Sequence, residues 1–460
     1  MNEKNKENEQ IQKIKKEKLT VFKLKEYVPR ESLLEKYFDA ENGQSSLLYN
    51  FLLAVFILVV MGTWINDFYL HGSPFHHLWL FRWNFTQLPQ TMLLWSIMAL
   101  STLIFPFYFF ILWMKLGTTK TETFICHWLF IIIYCFYQFG LFYFSLKTLF
   151  WLKLRGACCF IITCENTRIA MKVHSFVREN FCSSKASEKN VSETPSLSQF
   201  IYFMFCPSLL YRNSYPMSQT RSWKKLFNHL IHCFASIYAI NISFTQIVIP
   251  LFNKISYGEE GVGWHLLTLI FPSAIPGAVC LFIGIFYGLL HSWLSMFSEA
   301  MYFADRHFYS NWWNSRSMAY YYRTWNLVVH EWLYTYIYRD ISKMLGSSRF
   351  ANALAQISVF FISAVFHEYW FTVSLRMFFP VIFTLYFGFG GILFLISTLI
   401  KKPSSLWNIF LWWNLMFGTG LFFTCYASEW YARQRCSRIY ENDYLDLLIP
   451  RVWDCQHRLK

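Results

Sequence analysis

Apolar residues in this chain fall in long unbroken runs, not in alternating or one-sided patterns. Eight runs stand out, at about 47–67, 92–114, 124–152, 227–251, 265–298, 350–373, 380–400 and 405–428. A helix rises about 1.5 Å per residue, so about 20 apolar residues cross the hydrocarbon core of a bilayer. Helices also satisfy their own backbone polar groups, which lipid cannot do. The pattern therefore predicts an all-α polytopic membrane protein.

The polar stretches between the runs add a ninth span. Residues 1–30 carry nine Lys and Arg against five Glu, with no early apolar core. They read as a basic cytosolic arm, not as a cleaved leader. From a cytosolic start, three spans before residue 153 would leave 182–225 in the lumen. That segment holds Lys185, Lys189, Arg212, Arg221, Lys224 and Lys225, which belong on the cytosolic side. A less apolar span at about 156–180 removes the conflict. Its Glu165, Arg168 and Lys172 are spaced to share one helix face and must face protein, not lipid. The expected organisation is a basic cytosolic arm over 1–45, a membrane domain over 46–428 and a lumenal tail over 429–460. The Ser-rich stretch 183–197 reads as a loop. In the tail, Arg433, Arg435, Arg438 and Arg451 run against the charge rule.

Composition agrees. The chain is 55% hydrophobic and 21% aromatic, with 50 Phe, 28 Tyr and 20 Trp, too many for a soluble surface. The net charge of +14 is spread among loops, so it serves topology and not nucleic-acid binding. Basic loops can also meet anionic lipid or the phosphates of a coenzyme. The twelve Cys form no CxxC and no paired Cys/His spacing, which argues against a metal site. Cys436 and Cys455 lie beyond the last apolar run, where a disulfide would require an oxidising lumen.

One residue breaks the apolar pattern most sharply. Between Arg349 and Arg376 the only ionisable groups apart from tyrosine are His367 and Glu368. A titratable ring at membrane depth costs at least a few kcal/mol and usually lines an interior cavity. Upstream, 308–340 is dense in Trp, Tyr and Asn. Within it Asn326 and His330 share a helix face, as Ser363 and His367 do in the later span. Two polar pairs inside an aromatic wall suggest a tunnel. By pattern alone His330 is as readily a core histidine, Asn314 and Asn326 interhelical hydrogen-bond partners, and the Trp312–Trp313 pair an interfacial anchor. Neither His367-Glu368 nor His330-Glu331 begins HExxH, and no GxSxG, Walker A or GxGxxG string occurs. The string Gly388-Phe389-Gly390-Gly391 reads as close helix packing. A buried imidazole without metal partners or a nearby nucleophile suits general-base work on a substrate hydroxyl. A dry apolar tunnel would suit lipid substrates and protect a thioester from water.

These strings resemble a known family. FYSNWWN (308–314) is similar to the FYxDWWN signature of membrane-bound O-acyltransferases that esterify sterols and diacylglycerol. VFHEY (365–369) resembles that superfamily's active-site histidine motif. The sterol O-acyltransferase branch is matched more closely by YFMFCPSLLYRNSYP (202–216), YYRTWNLVVHEWLY (321–334), KKPSSLWNIFLWWNLMFGTG (401–420) and EWYARQRC (429–436). The resemblance runs from about Val21 to Cys455. It implies about nine transmembrane helices enclosing an internal tunnel. It also implies an endoplasmic reticulum membrane location, with a cytosolic N-terminus and a lumenal C-terminus. The implied reaction moves a long-chain fatty acyl group from acyl-CoA, as co-substrate and with no bound cofactor, to the 3β-hydroxyl of a sterol. By motif match His367 would be the base and Asn326 the second catalytic position. Trp325, His330, Ser363 and Tyr338 would line the acyl-CoA site, with Arg349 near the phosphates. Phe308, Tyr309, Trp312, Trp313 and Asn314 carry the signature, and Cys436 and Cys455 match a lumenal disulfide. Family members are dimers or tetramers, and this N-terminal arm is short for a tetramerising segment. Asn311 and Glu331 each replace an Asp of the family pattern. The alternatives left open are a diacylglycerol or fatty-alcohol acyltransferase, or a non-catalytic sterol-binding membrane protein.

Overall fold

A computed structural model describes residues 25–38, 44–115, 120–186, 194–255, 262–399 and 405–455. Among these the chain is mainly helical, with isolated β bridges such as Arg30 with Asp305 and Met217 with Phe303. Among the described residues, seven helical segments are long and apolar enough to cross a membrane. They are Tyr49–His71, Leu88–Met114, His127–Trp151, Trp223–Asn253, Leu266–Ala300, Arg349–Leu375 and Ser405–Arg435. These coincide with seven of the eight expected apolar runs. The eighth, 380–400, is a shorter apolar helix, Val381–Ser397, with a π turn over Thr384–Gly390. The polar stretch expected at 156–180 is one continuous helix of 31 residues, Gly156–Ala186.

Its Glu165, Arg168 and Lys172 all find protein partners. Arg168 pairs with Glu165 at 2.8 Å, and Glu165 also accepts from Trp95 Nε1 at 2.7 Å. Arg168 donates to the Met204 carbonyl at 2.7 Å, and the buried Lys172 donates to the carbonyls of Phe203 and Cys206. These carbonyls close the short helix Leu197–Phe205, whose C-terminal end carries partial negative charge. Two cations of one helix thus cap the end of another.

The tightest helix pair is Val262–Ala278 against Ser405–Arg435. A Cβ built on Gly420 would meet the Ile270 carbonyl oxygen at 2.3 Å, and one on Gly277 would meet Thr419 Cβ at 2.7 Å. Small residues let the backbones approach where lipid offers no hydrophobic drive between helices. Of the expected close-packing glycines at 388–391, only Gly390 is crowded by a neighbouring helix, with Tyr322 Oη 2.7 Å from a built Cβ.

The first and last described segments are tied to the helices. Arg30 forms a two-pronged pair with Asp305, at 2.9 and 2.7 Å. Glu35 meets His229, Lys225 and Arg306. Burial opposes the charge on Glu35, yet these three partners hold its pKa down at about 2. Toward the other end the last long helix, Ser405–Arg435, continues past residue 428. Its buried Glu429 accepts from Arg433 Nε at 2.6 Å and from the backbone N–H groups of Arg451 and Val452. A disulfide joins Cys436 and Cys455, with Cα atoms 5.5 Å apart.

Candidate active site

A cavity of about 3360 Å³ runs among the helices. Its lining is mostly aromatic and aliphatic. Trp325, Asn326, His330, Tyr338, Arg349, Ser363 and His367 all reach it, so the residues singled out from two separate segments share one space.

His367 sits on the helix Arg349–Leu375, its imidazole stacked on Tyr386 at 4.7 Å and tilted against Trp370 at 4.6 Å. Trp370 is itself held by donation to Thr167 Oγ1 at 2.9 Å. His367 Nδ1 lies 2.7 Å from the backbone carbonyl oxygen of Ser363. A carbonyl can only accept, so Nδ1 carries the proton in that bond. In the neutral ring Nε2 then holds a lone pair. The Ser363 residue fixes the tautomer, but through its main chain and not its hydroxyl. Glu368, next in sequence, takes no part. It is buried against another helix, accepting from the Tyr426 hydroxyl at 2.9 Å and from Phe383 N at 3.1 Å.

Asn326 is the N-cap of the helix Leu327–Leu333. Its Oδ1 accepts from Val329 N at 3.1 Å. An N–H donor needs an acceptor opposite it, so the cap assigns the amide and leaves Nδ2 as a donor. One turn later His330 stacks on Tyr334, which stacks on Tyr338. Burial, aided by Arg323 and Lys25, pushes the His330 pKa down to about 4, so the ring is neutral near pH 7. Trp325 packs parallel to Tyr321 at 6.0 Å. Arg349 opens the helix that carries His367, after the cap Ser348. At about 1.5 Å per residue, Arg349 and His367 lie about 27 Å apart along that helix.

The 308–314 string does not line the cavity. Trp312 is buried among Phe282, Phe286, Tyr321 and Trp412. Tyr309 donates its hydroxyl to His291 Nδ1 or accepts from it at 2.8 Å, with Ser32 Oγ 3.0 Å away. Phe308 is buried beside Tyr27 and Val328, Trp313 packs on Phe286, and Asn314 is exposed. This knot supports the site from behind, through Tyr321 and the 325–330 turn. Asn311 accepts from the Tyr320 hydroxyl at 2.7 Å, work that an amide oxygen does as well as a carboxylate. Tyr386 was not foreseen, because one Tyr in an apolar run carries no sequence signal. Among the described residues no group of three His, Cys, Asp or Glu could hold a metal.

The family model of the membrane-bound O-acyltransferase family matches residues 83–428. Sterol O-acyltransferase 1 of Cricetulus griseus is 36% identical over 441 residues, covering 94% of this chain and 78% of that protein. Sterol O-acyltransferase 1 of Mus musculus is 35% identical over 437 residues, with 94% and 79% covered. Sterol O-acyltransferase 2 of Homo sapiens is 32% identical over 436 residues, with 94% and 81% covered.

Proposed function

Since the chain belongs to the membrane-bound O-acyltransferase family, we propose that it moves a long-chain fatty acyl group from acyl-CoA to the 3β-hydroxyl of a sterol. The observation that carries this reading is the His367 Nδ1–H bond to the Ser363 carbonyl, which turns a basic Nε2 free for proton transfer.

Nε2 takes the proton of the sterol hydroxyl as that oxygen attacks the thioester carbonyl. The carbonyl oxygen gains negative charge, and Asn326 Nδ2 donates to it. The intermediate collapses to the ester, the C–S bond breaks, and the imidazolium returns its proton to the CoA sulfur. The balance is one ester and one thiol from one alcohol and one thioester. Arg349 and Tyr338 hold the coenzyme's phosphate and adenosine end, with the neutral face of His330 along the pantetheine arm. The span of about 27 Å from Arg349 to His367 suits a long coenzyme arm followed by a thioester. Excluding water protects that thioester.

The same reading sets the protein in the endoplasmic reticulum membrane with nine spans, its N-terminus cytosolic and its C-terminus lumenal. The Cys436–Cys455 disulfide supports a lumenal tail. It also has the chain working as a homo-oligomer, a dimer at least. The test is sterol ester formation from oleoyl-CoA and radiolabelled cholesterol. His367→Ala should abolish it while the purified protein keeps its thermal transition. Ester formation at the normal rate by that variant would overturn the assignment. An acceptor panel of cholesterol, diacylglycerol and hexadecanol separates the sterol from the glycerolipid and alcohol readings.

A further inference from the structure

The π turn Thr384–Gly390 delivers Tyr386 to the face of His367. π turns inside helices are costly and often mark functional positions. The rings stack at 4.7 Å with 24° between planes, while Trp370 is tilted against the imidazole by 55° at 4.6 Å. The Tyr386 hydroxyl has no hydrogen-bond partner among the described residues, and it is not sealed in, since the residue lines the cavity. A phenol without a partner beside an apolar wall leaves a donor unsatisfied until something arrives.

The direction of approach says what arrives. The proposed coenzyme contacts, Asn326, His330, Tyr338 and Arg349, come from residues 326–349, which end at the first residue of the helix that carries His367. Tyr386 comes from beyond that helix's opposite end. The chain leaves the helix at Arg376, in the left-handed region with φ 55°, and returns beside it. At about 1.5 Å per residue, His367 lies about 12 Å from Leu375, and Tyr386 about 8 Å from Val381. The two rings therefore meet at similar depth from the end remote from Arg349.

We propose that Tyr386 is the specificity residue for the acceptor: its hydroxyl hydrogen-bonds the acyl-accepting hydroxyl and its ring holds the His367 imidazole in register. This rests on the reading of His367 as the base. In the resting complex the phenol donates to the acceptor oxygen, whose own proton points to His367 Nε2. No bond to Tyr386 forms or breaks during transfer.

The experiment uses the purified full-length protein in lipid nanodiscs, with oleoyl-CoA and cholesterol varied independently. Tyr386→Phe keeps the ring and removes the hydroxyl. It should raise KM for cholesterol about five- to tenfold, as expected for one lost neutral hydrogen bond, and leave KM for oleoyl-CoA and the pH profile unchanged. Tyr386→Leu removes the ring as well and should also lower kcat and shift the pH profile, which the Phe variant restores. An unchanged KM for cholesterol in Tyr386→Phe overturns the proposal, as does a rise in KM for oleoyl-CoA alone. Equilibrium binding of tritiated cholesterol without acyl-CoA separates the two readings. A weakened affinity in Tyr386→Phe, alongside full turnover by His367→Ala, would keep the Tyr386 contact and remove the base.

Discussion

Replacing Asn326 by Ser should separate two tasks that one amide performs. The Oδ1 atom caps the helix Leu327–Leu333 through Val329 N at 3.1 Å, while Nδ2 is left to donate into the cavity. Serine caps helices about as well as asparagine, whereas losing a cap altogether costs about 0.5–2 kcal/mol. Asn326→Ser should therefore leave stability within about 0.5 kcal/mol of the parent. It removes the amide donor, and deleting one donor to a developing oxyanion typically lowers kcat about 10²–10³-fold, or about 2.7–4 kcal/mol. Asn326→Asp is the companion. It keeps the acceptor, adds a charge that suits a helix N-terminus by about 0.3–1 kcal/mol, and opposes negative charge on the carbonyl oxygen. The expected pattern is two variants that unfold at or above the parental temperature and barely turn over. The assays are single-turnover ester formation at saturating oleoyl-CoA and thermal unfolding of the purified protein. Asn326→Ser with parental kcat would refute the donor role. A collapsed thermal transition in that variant would show that the cap reasoning is wrong.

Two further outcomes follow from the packing and the charges. Gly420→Ala puts a methyl where 2.3 Å separates a built Cβ from the Ile270 carbonyl oxygen, so the two helix backbones must part. Its thermal transition should fall by several degrees, as an overpacking cost of about 1–3 kcal/mol implies, while Gly418→Ala, mid-helix with open space around it, should hold or raise it. The His330 pKa is lowered to about 4 from 6.5, so between these values the unfolded chain binds a proton that the folded chain refuses. Stability from this group is complete above pH 6.5 and is lost as pH falls toward 4. His330→Gln should flatten the decline in unfolding temperature between pH 6.5 and 4.5, and an unchanged slope would count against a buried neutral ring.

Length and apolarity made the long helices legible, because lipid leaves a spanning chain few alternatives. The charges of the loops point to a helix at Gly156–Ala186, which is present but is not among the seven long apolar segments, and its Glu165, Arg168 and Lys172 bond to protein groups. Helix spacing paired Asn326 with His330 and Ser363 with His367, but it could not say that Ser363 acts through its carbonyl. Contacts between distant segments stayed hidden. Residues 25–38 look like the end of a solvated arm, yet Arg30 bridges to Asp305 and Ser32 is buried beside His291. Likewise nothing near Asp67 or His77 announces their 2.7 Å pair, which meets Tyr238 from another helix. The tryptophan-rich string drew the eye for its composition, and its residues prove to buttress the cavity rather than line it.

The cations of Gly156–Ala186 that close the helix Leu197–Phe205 bear on how the protein is made. A single Lys, Arg or Asp at the centre of a span raises the free energy of insertion by about 2.5–3.5 kcal/mol. Until residues 203–206 have been synthesised, Arg168 and Lys172 lack the carbonyl oxygens they bind in the finished protein. At about 5–20 residues per second, the ribosome needs a few seconds to cover that interval. On the nine-span reading proposed above, the polar contacts of this helix are therefore completed only by the segment translated after it.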